Sequence, residues 1–173
     1  MKILLVKFRN IGDVLLTTPL ISNLRNVYPE AQIDYTVNKE TESMLLLNPN
    51  LNQIIPYDRE SIKSLPLIKR IWKEIEFIRS FKKSSYDIVI NLTDGDRGNL
   101  IAWFSNAPLR LGYKNKNLFF KKSITHEMPE QKLRHTVEQT LDPLRALNLS
   151  ITNRSVEIFW SEEDEKFIDK NLV

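Results

Sequence analysis

Short apolar runs and stripes of helical period take turns along this chain. Residues 2–7 read KILLVK, a buried strand with charged ends. Over residues 13–27 the apolar positions Val14, Leu15, Leu20, Ile21, Leu24 and Val27 keep a helical spacing. Pro19 interrupts that stripe, because a proline inside a helix removes a hydrogen bond and clashes with the preceding turn. Either one helix starts at Asp13 and bends near Pro19, or Thr18 caps a helix with Pro19 at its first position. The earlier start is preferred. Residues 32–37 (QIDYTV) alternate and predict a second strand, and residues 53–57 a third. Between them, residues 41–47 predict a short helix closed by Asn48-Pro49-Asn50. Residues 62–83 carry Leu67, Ile68, Ile71, Trp72, Ile75, Ile78 and Phe81 at helical spacing, with Pro66 near the start of the helix. Residues 86–92 (YDIVINL) are the most apolar run and predict a central strand.

The second half continues the alternation. A helix is expected over 96–106, a short strand over 109–112, and a basic loop over 115–123. Residues 133–147 predict an amphipathic helix with Val137, Leu141, Leu144 and Leu147 on one face. Residues 155–160 predict a final strand, and Ser161 opens a helix with Asp164 at the capping-box position. Strands alternating with helices imply right-handed crossovers and a parallel sheet covered on both faces. The chain stops at DEKFIDKNLV, inside that last helix, so a longer parent protein is expected.

Composition narrows the class. With 173 residues, 42% of them hydrophobic, the chain can bury one real core. It has no cysteine, which excludes disulfides and thiolate metal sites and suits a reducing compartment. Only His126 and His135 are present, which argues against a multi-histidine metal site. No apolar run approaches the roughly 20 residues of a bilayer span. The first apolar stretch is also too short for a signal-peptide core of about 7–15 residues. A soluble, cytoplasmic protein is expected.

Ligands of a parallel sheet bind outside the carboxyl ends of its strands. Three turns are expected there, at residues 7–13, 93–98 and 112–117. The first, FRNIGD, has one glycine and matches neither G-x-G-x-x-G nor G-x-x-x-x-G-K-[ST]. The second, TDGDRG, is acidic and reads as a strand-to-helix turn capped by Asp94 or Asp96. Asp13 has two readings. It is a helix N-cap, where a carboxylate also complements the helix dipole, or it is a general base facing the crevice. The cations are less ambiguous. Residues 59–83 hold eight Lys or Arg against three Glu, a bias that reads mainly as a solvated helix face. Residues 110–122 hold Arg110, Lys114, Lys116, Lys121 and Lys122 with no acid, a pattern suited equally to phosphate and to solvent. Phe119 and Phe120 in that loop are either buried or set against lipid or sugar. Trp72, Trp103 and Trp160 are expected in core or helix packing. His126 and His135 are expected in structural roles, with His135 supporting the first turn of its helix.

Several blocks together carry a resemblance. They are K-x-x-x-x-G-D-V-L-L-T-T-P (7–19), L-R-x-x-Y-P-x-A-x-I-D-Y (24–35), N-P-N-L (48–51), Y-D-I-V-I-N-L-T-D (86–94), K-K-S-I-T-H (121–126) and H-T-V-E-Q (135–139). In this order they resemble the lipopolysaccharide heptosyltransferases of glycosyltransferase family 9, with I-N-L-T-D most similar to the third heptosyltransferase type. The resemblance implies a Rossmann-like parallel sheet with helices on both faces, the N-terminal half of a GT-B enzyme. Residues 1–160 would be the acceptor-binding domain and 161–173 the start of a link to a C-terminal donor domain outside this chain. The implied reaction is inverting and needs no metal or cofactor. The donor is ADP-heptose, a sugar nucleotide, and the acceptor is the lipopolysaccharide core with its lipid A. Asp13 aligns with the catalytic base. Lys7, Arg9, Arg59 and Lys63 fall in the region of the acceptor-binding surface, and Arg110 and Lys114 join them from the basic loop. Peripheral contact with the cytoplasmic face of the inner membrane is expected, nucleic-acid binding is not, and this half alone is expected to be inactive. Two other readings stand beside it: a non-catalytic domain for anionic glycolipids, and a nucleotide-binding Rossmann domain.

Overall fold

The computed structural model describes residues 1–114, 117–129 and 134–171. Strand β1 (Lys2–Lys7) lies at the centre of a sheet between β2 (Gln32–Asn38) and β4 (Ile88–Asn91). Strand β3 (Gln53–Tyr57) continues the sheet beyond β2, and β5 (Leu109–Gly112) and β6 (His126–Glu127) continue it beyond β4. Every pairing is parallel, in the order β3-β2-β1-β4-β5-β6. The chain therefore builds outward in one direction from β1, returns, and builds outward in the other from β4. The expected Rossmann-like sheet with helices on both faces is what forms.

The period-2 pattern of the strands divides two layers. Ile3, Leu5, Ile33, Tyr35, Val37, Ile88 and Ile90 face one side. There they pack with Leu20, Ile21 and Leu24 of α2 (Thr18–Val27), Val137 of α6 (Thr136–Thr140) and Leu144 of α7 (Asp142–Ala146). Leu4, Val6 and Val89 face the other side, under Ile78 and Phe81 of α4 (Leu67–Lys83) and Ile101 and Ala102 of α5 (Asp96–Ser105). Burying each Val, Leu, Ile or Phe among them contributes about 1.5–3 kcal/mol.

Prolines cut the helices more finely than expected. The 13–27 stretch is two helices, α1 (Ile11–Leu15) and α2, with Pro19 in the first turn of α2. Thr17, not Thr18, holds the N-cap position, but its hydroxyl points inward. It donates to the Val14 carbonyl at 2.6 Å and meets the Tyr35 hydroxyl at 2.8 Å. The 62–83 helix becomes α3 (Arg59–Lys63) and α4, separated at Pro66. The 133–147 helix becomes α6 and α7, divided just before Pro143; its expected start, Leu133, lies outside the described residues. The short helix over 41–47 is a 3₁₀ segment, Lys39–Met44.

The expected strand over 155–160 does not form. Residues 152–157 hydrogen-bond to side chains of α2 in place of a strand. The fully buried Asn23 accepts from the backbone N–H of Thr152 at 2.7 Å and of Asn153 at 3.2 Å, and donates to the Asn153 carbonyl at 2.7 Å. Thr18 Oγ1 accepts from the Glu157 N–H at 2.9 Å. The sixth strand is instead β6, two residues long. Beyond the strap, Ser161 and Asp164 form the expected reciprocal cap of α8 (Glu162–Asn171). The tryptophans also depart from expectation. Trp72 and Trp160 are exposed, and Trp103 is part of a surface aromatic cluster with Phe104 and Phe119.

Asn23 makes a specific prediction. Asn23→Ala removes the partner of two backbone N–H groups and two carbonyls. It is expected to lower unfolding free energy by about 1–3 kcal/mol, read as a lower urea midpoint with unchanged far-UV circular dichroism.

Candidate functional site

Adjacency of β1 and β4 brings the turns that follow them side by side. The Phe8 N–H donates to Thr93 Oγ1 at 2.9 Å, and Lys7 Nζ donates to the Leu92 carbonyl at 3.1 Å. Arg9 and Asp94 close the join with an ion pair at 2.5 Å. Beneath them, the buried Asn91 at the end of β4 shapes the second turn. Its Oδ1 accepts from the Thr93 N–H at 3.0 Å, and its Nδ2 donates to Asn99 Oδ1 at 3.3 Å. Gly98 lets the first turn of α5 sit against this amide, because a Cβ there would overlap the Asn91 side chain. The N-cap of α5 is Gly95, with Asp96 in the first turn, so neither Asp94 nor Asp96 caps the helix as expected.

Asp13 is not the cap of α1 either. Asn10 holds that position, without a side-chain cap bond, and Asp13 lies in the first turn. The reason is geometric: the chain turns into α1 directly after leaving β1, two residues before the expected start. A carboxylate in the first turn still complements the helix dipole. Asp13 is half-buried and takes no hydrogen bond or ion pair from any described residue. Burial pushes the Lys7 ammonium below its usual range, and the negative charge of Asp13 opposes that shift. A Cβ on Gly12 would meet nothing within 4 Å, so the helix face at Gly12, the residue preceding Asp13, is open.

The basic residues divide. Arg59 lines a crevice with Arg9, Asn38, Thr93, Asp94 and Arg97. Lys114 lines an adjoining hollow with Thr93, Asp94, Asn99 and Tyr113. Lys7, Arg9, Arg59, Lys114 and Asp13 thus gather along the carboxyl edge of the sheet. Lys63 is exposed at the end of α3 and lines neither hollow. Arg110 has a different occupation. Its guanidinium donates to the carbonyls of Ala107 at 2.6 Å, Ser123 at 2.9 Å and Lys122 at 3.1 Å, which staples the basic loop to β5. Lys116 lies outside the described residues. His126 is exposed on β6, and His135 caps α6 by accepting the Val137 N–H at 3.3 Å.

The crevice also contains a residue that sequence reasoning passed over. The Arg97 guanidinium carbon lies 3.9 Å from the centre of the Tyr57 ring and 5.5 Å from that of Phe8. Arg97 donates to the Tyr57 hydroxyl at 2.8 Å and to Glu74 at 3.0 and 3.3 Å, and Tyr57 donates to Glu74 as well. Burial alone would raise the Glu74 carboxyl, but hydrogen bonds from Arg97 and Tyr57 outweigh it and hold the group below its usual range. Burial and the neighbouring Glu74 push the Tyr57 phenol up to about 12. Arg97 is a fixed cation at the crevice wall. Its local sequence, an arginine in an acidic turn, gave no sign of partners 23 and 40 positions away.

No protein-family model matches the chain. In sequence it is 30% identical over 165 residues to lipopolysaccharide heptosyltransferase 3 of Escherichia coli K12, an alignment covering 93% of this chain and 46% of that protein. In structure it is similar to a glycosyl transferase of family 9 from Veillonella parvula. The TM-score is 0.77 at 24% identity, with coverage of 99% of this chain and 49% of the other. The E. coli heptosyltransferase WaaC with ADP-2-deoxy-2-fluoro heptose gives a TM-score of 0.75 at 18% identity, covering 91% of this chain and 51% of WaaC. The chain spans about half the length of the curated relatives it matches.

The Glu74 cluster predicts a pH dependence. A carboxyl held below its ordinary value contributes stability that is complete above that value and is lost as pH falls through the folded one. Glu74→Gln is therefore expected to lower unfolding free energy by about 1–3 kcal/mol near neutrality. The difference should shrink below the ordinary carboxylate range. Urea midpoints of both proteins at neutral and acidic pH check this.

Proposed function

We propose that this chain, which belongs to the family 9 lipopolysaccharide heptosyltransferases as a counterpart of their N-terminal half, forms the acceptor side of an inverting heptose transfer. The observation that carries this reading is Asp13. It stands without a hydrogen-bond or ion-pair partner among the described residues, half-buried in the first turn of α1, at the carboxyl edge of the sheet where ligands of such folds bind.

In this reading the Asp13 carboxylate accepts the proton of an acceptor heptose hydroxyl. The hydroxyl oxygen attacks the anomeric carbon of ADP-heptose, a new glycosidic bond forms, and the bond to ADP breaks with inversion. General-base assistance of this kind contributes about 10²–10⁴-fold. Lys7, Arg9, Arg59 and Lys114 would hold phosphates and carboxylates of the lipopolysaccharide core through charge-assisted hydrogen bonds. Lys63 and Arg110 are less suited, the first for its position and the second for its three carbonyl partners. The turn after β1 has a single glycine, so a nucleotide cradle is not expected in this half. ADP-heptose would be held by a second half, reached through α8, and residues 1–173 alone would not complete transfer. The protein would work at the cytoplasmic face of the inner membrane, where lipid A anchors the acceptor.

Asp13→Ala and Asp13→Asn in the full-length protein are expected to lower kcat by about 10²–10⁴-fold. Thermal midpoints should change little, because no described residue bonds to the carboxylate. Transfer near the parent rate in both variants would leave Asp13 with a helix-terminus role alone. Gly12→Ala tests the open space. Inside a helix the alanine is expected to stabilise by up to about 1 kcal/mol, while transfer falls if the acceptor or donor occupies that volume.

A further inference from the structure

Helix α4 carries an apolar surface that the domain leaves uncovered. Its inward stripe is Ile78 and Phe81, both buried. Leu67 and Ile71 extend that stripe toward the N-terminus, yet are 70% and 49% exposed. Ile68 and Trp72, on the adjoining face, are 72% and 67% exposed. Length explains part of this. Seventeen helical residues span about 25 Å, against about 20 Å for the six residues of β1, so α4 outruns the sheet it covers. Its N-terminal turns follow β3 and α3, at the same carboxyl edge as the crevice. Toward its other end, Lys82 lines a hollow with Trp103 and Phe104, and Phe119 packs on Trp103 at 5.4 Å. Phe120 of the same loop is buried, so the loop presents one ring outward and seats the other.

The charge around this surface is mainly positive. Lys69, Lys73, Arg79 and Lys83 line the outer groove of α4 with Trp72 and Ile75, and Glu76, already paired with Lys73 at 2.7 Å, is the acid among them. Exposed aliphatic and indole groups interleaved with cations match an anionic lipid interface. There the apolar groups enter the acyl boundary and the cations meet lipid phosphates. No helix among the described residues is long and apolar enough to cross a membrane, so the contact is parallel to the surface.

We propose that the outer face of α4, continued by Trp103, Phe104 and Phe119, docks the protein on an anionic lipid bilayer with the crevice beside the headgroups. The docking stands on this surface alone. Its purpose, presenting a lipid-anchored acceptor to Asp13, rests on the proposed function.

The test is co-sedimentation of the full-length protein with large vesicles, either of phosphatidylcholine alone or of equimolar phosphatidylcholine and phosphatidylglycerol. Binding to the anionic vesicles is expected, with about a tenfold fall in partitioning for Ile68→Ser/Trp72→Ser and for Lys69→Glu/Arg79→Glu, and a fall with added salt. Both pairs are exposed, and unchanged thermal midpoints confirm folding. Equal partitioning of parent and variants, or none to anionic vesicles, overturns the proposal. So does sedimentation equilibrium showing a dimer that Ile68→Ser/Trp72→Ser dissociates, since a second copy then covers the face. Low acrylamide quenching of Trp72 in the lipid-free monomer overturns it too, because a segment outside these residues then lies over it. Transfer to a delipidated, water-soluble acceptor separates this from the catalytic reading: Ile68→Ser/Trp72→Ser should match the parent there, whereas Asp13→Ala should not.

Discussion

Everything at the functional edge depends on β1 pairing with β4 rather than with β3. Parallel pairing of these two strands sets their outgoing turns next to each other, one leading to α1 and the other to α5. Two segments separated by 85 positions then share hydrogen bonds from Lys7 and Phe8 and the ion pair from Arg9. The crevice follows from a change in winding direction between adjacent strands. Asn91 and Gly98 refine it: one fills the end of β4 with an amide, and the other leaves room for that amide.

Much of this architecture could be read along the chain. The starts or ends of β1, β2, β3 and β5 coincide with their expected bounds, because short apolar or alternating runs bounded by turn residues describe the strands of a covered sheet well. The misreading at 155–160 is informative. Its alternation is real, but Val156, Ile158 and Trp160 are exposed, and α2 holds the backbone at Glu157 through Thr18 and, just upstream, at Thr152 and Asn153 through Asn23. Side-chain partners some 130 positions away leave no local trace. Strand β6 failed for the opposite reason, being two polar residues held in place by the sheet edge.

The site shows a similar division. An acidic residue after the first strand was visible as a candidate; that Asn10 rather than Asp13 would occupy the cap was not, since both are good capping types. Basic residues were visible as charge. Their occupations were not: Arg110 is consumed by carbonyls and Arg97 by a phenol, a carboxylate and two rings. The proline breaks were partly visible, as proline itself was, but the breaks fall where neighbouring side chains such as Thr17 can turn inward and bond.

The exposed pair of Arg9 and Asp94 has a thermodynamic corollary. An anion that takes the Arg9 Nη2 donor displaces a carboxylate already seated there, so that event is an exchange of partners. The free energy gained is a difference between two similar ion pairs, each modest in water, and the displaced Asp94 is left free. Such a position favours rapid turnover of its occupant over tight retention. An anion carrying several charges would lose less in that exchange, since Arg59 lines the same crevice and Lys114 the adjoining hollow.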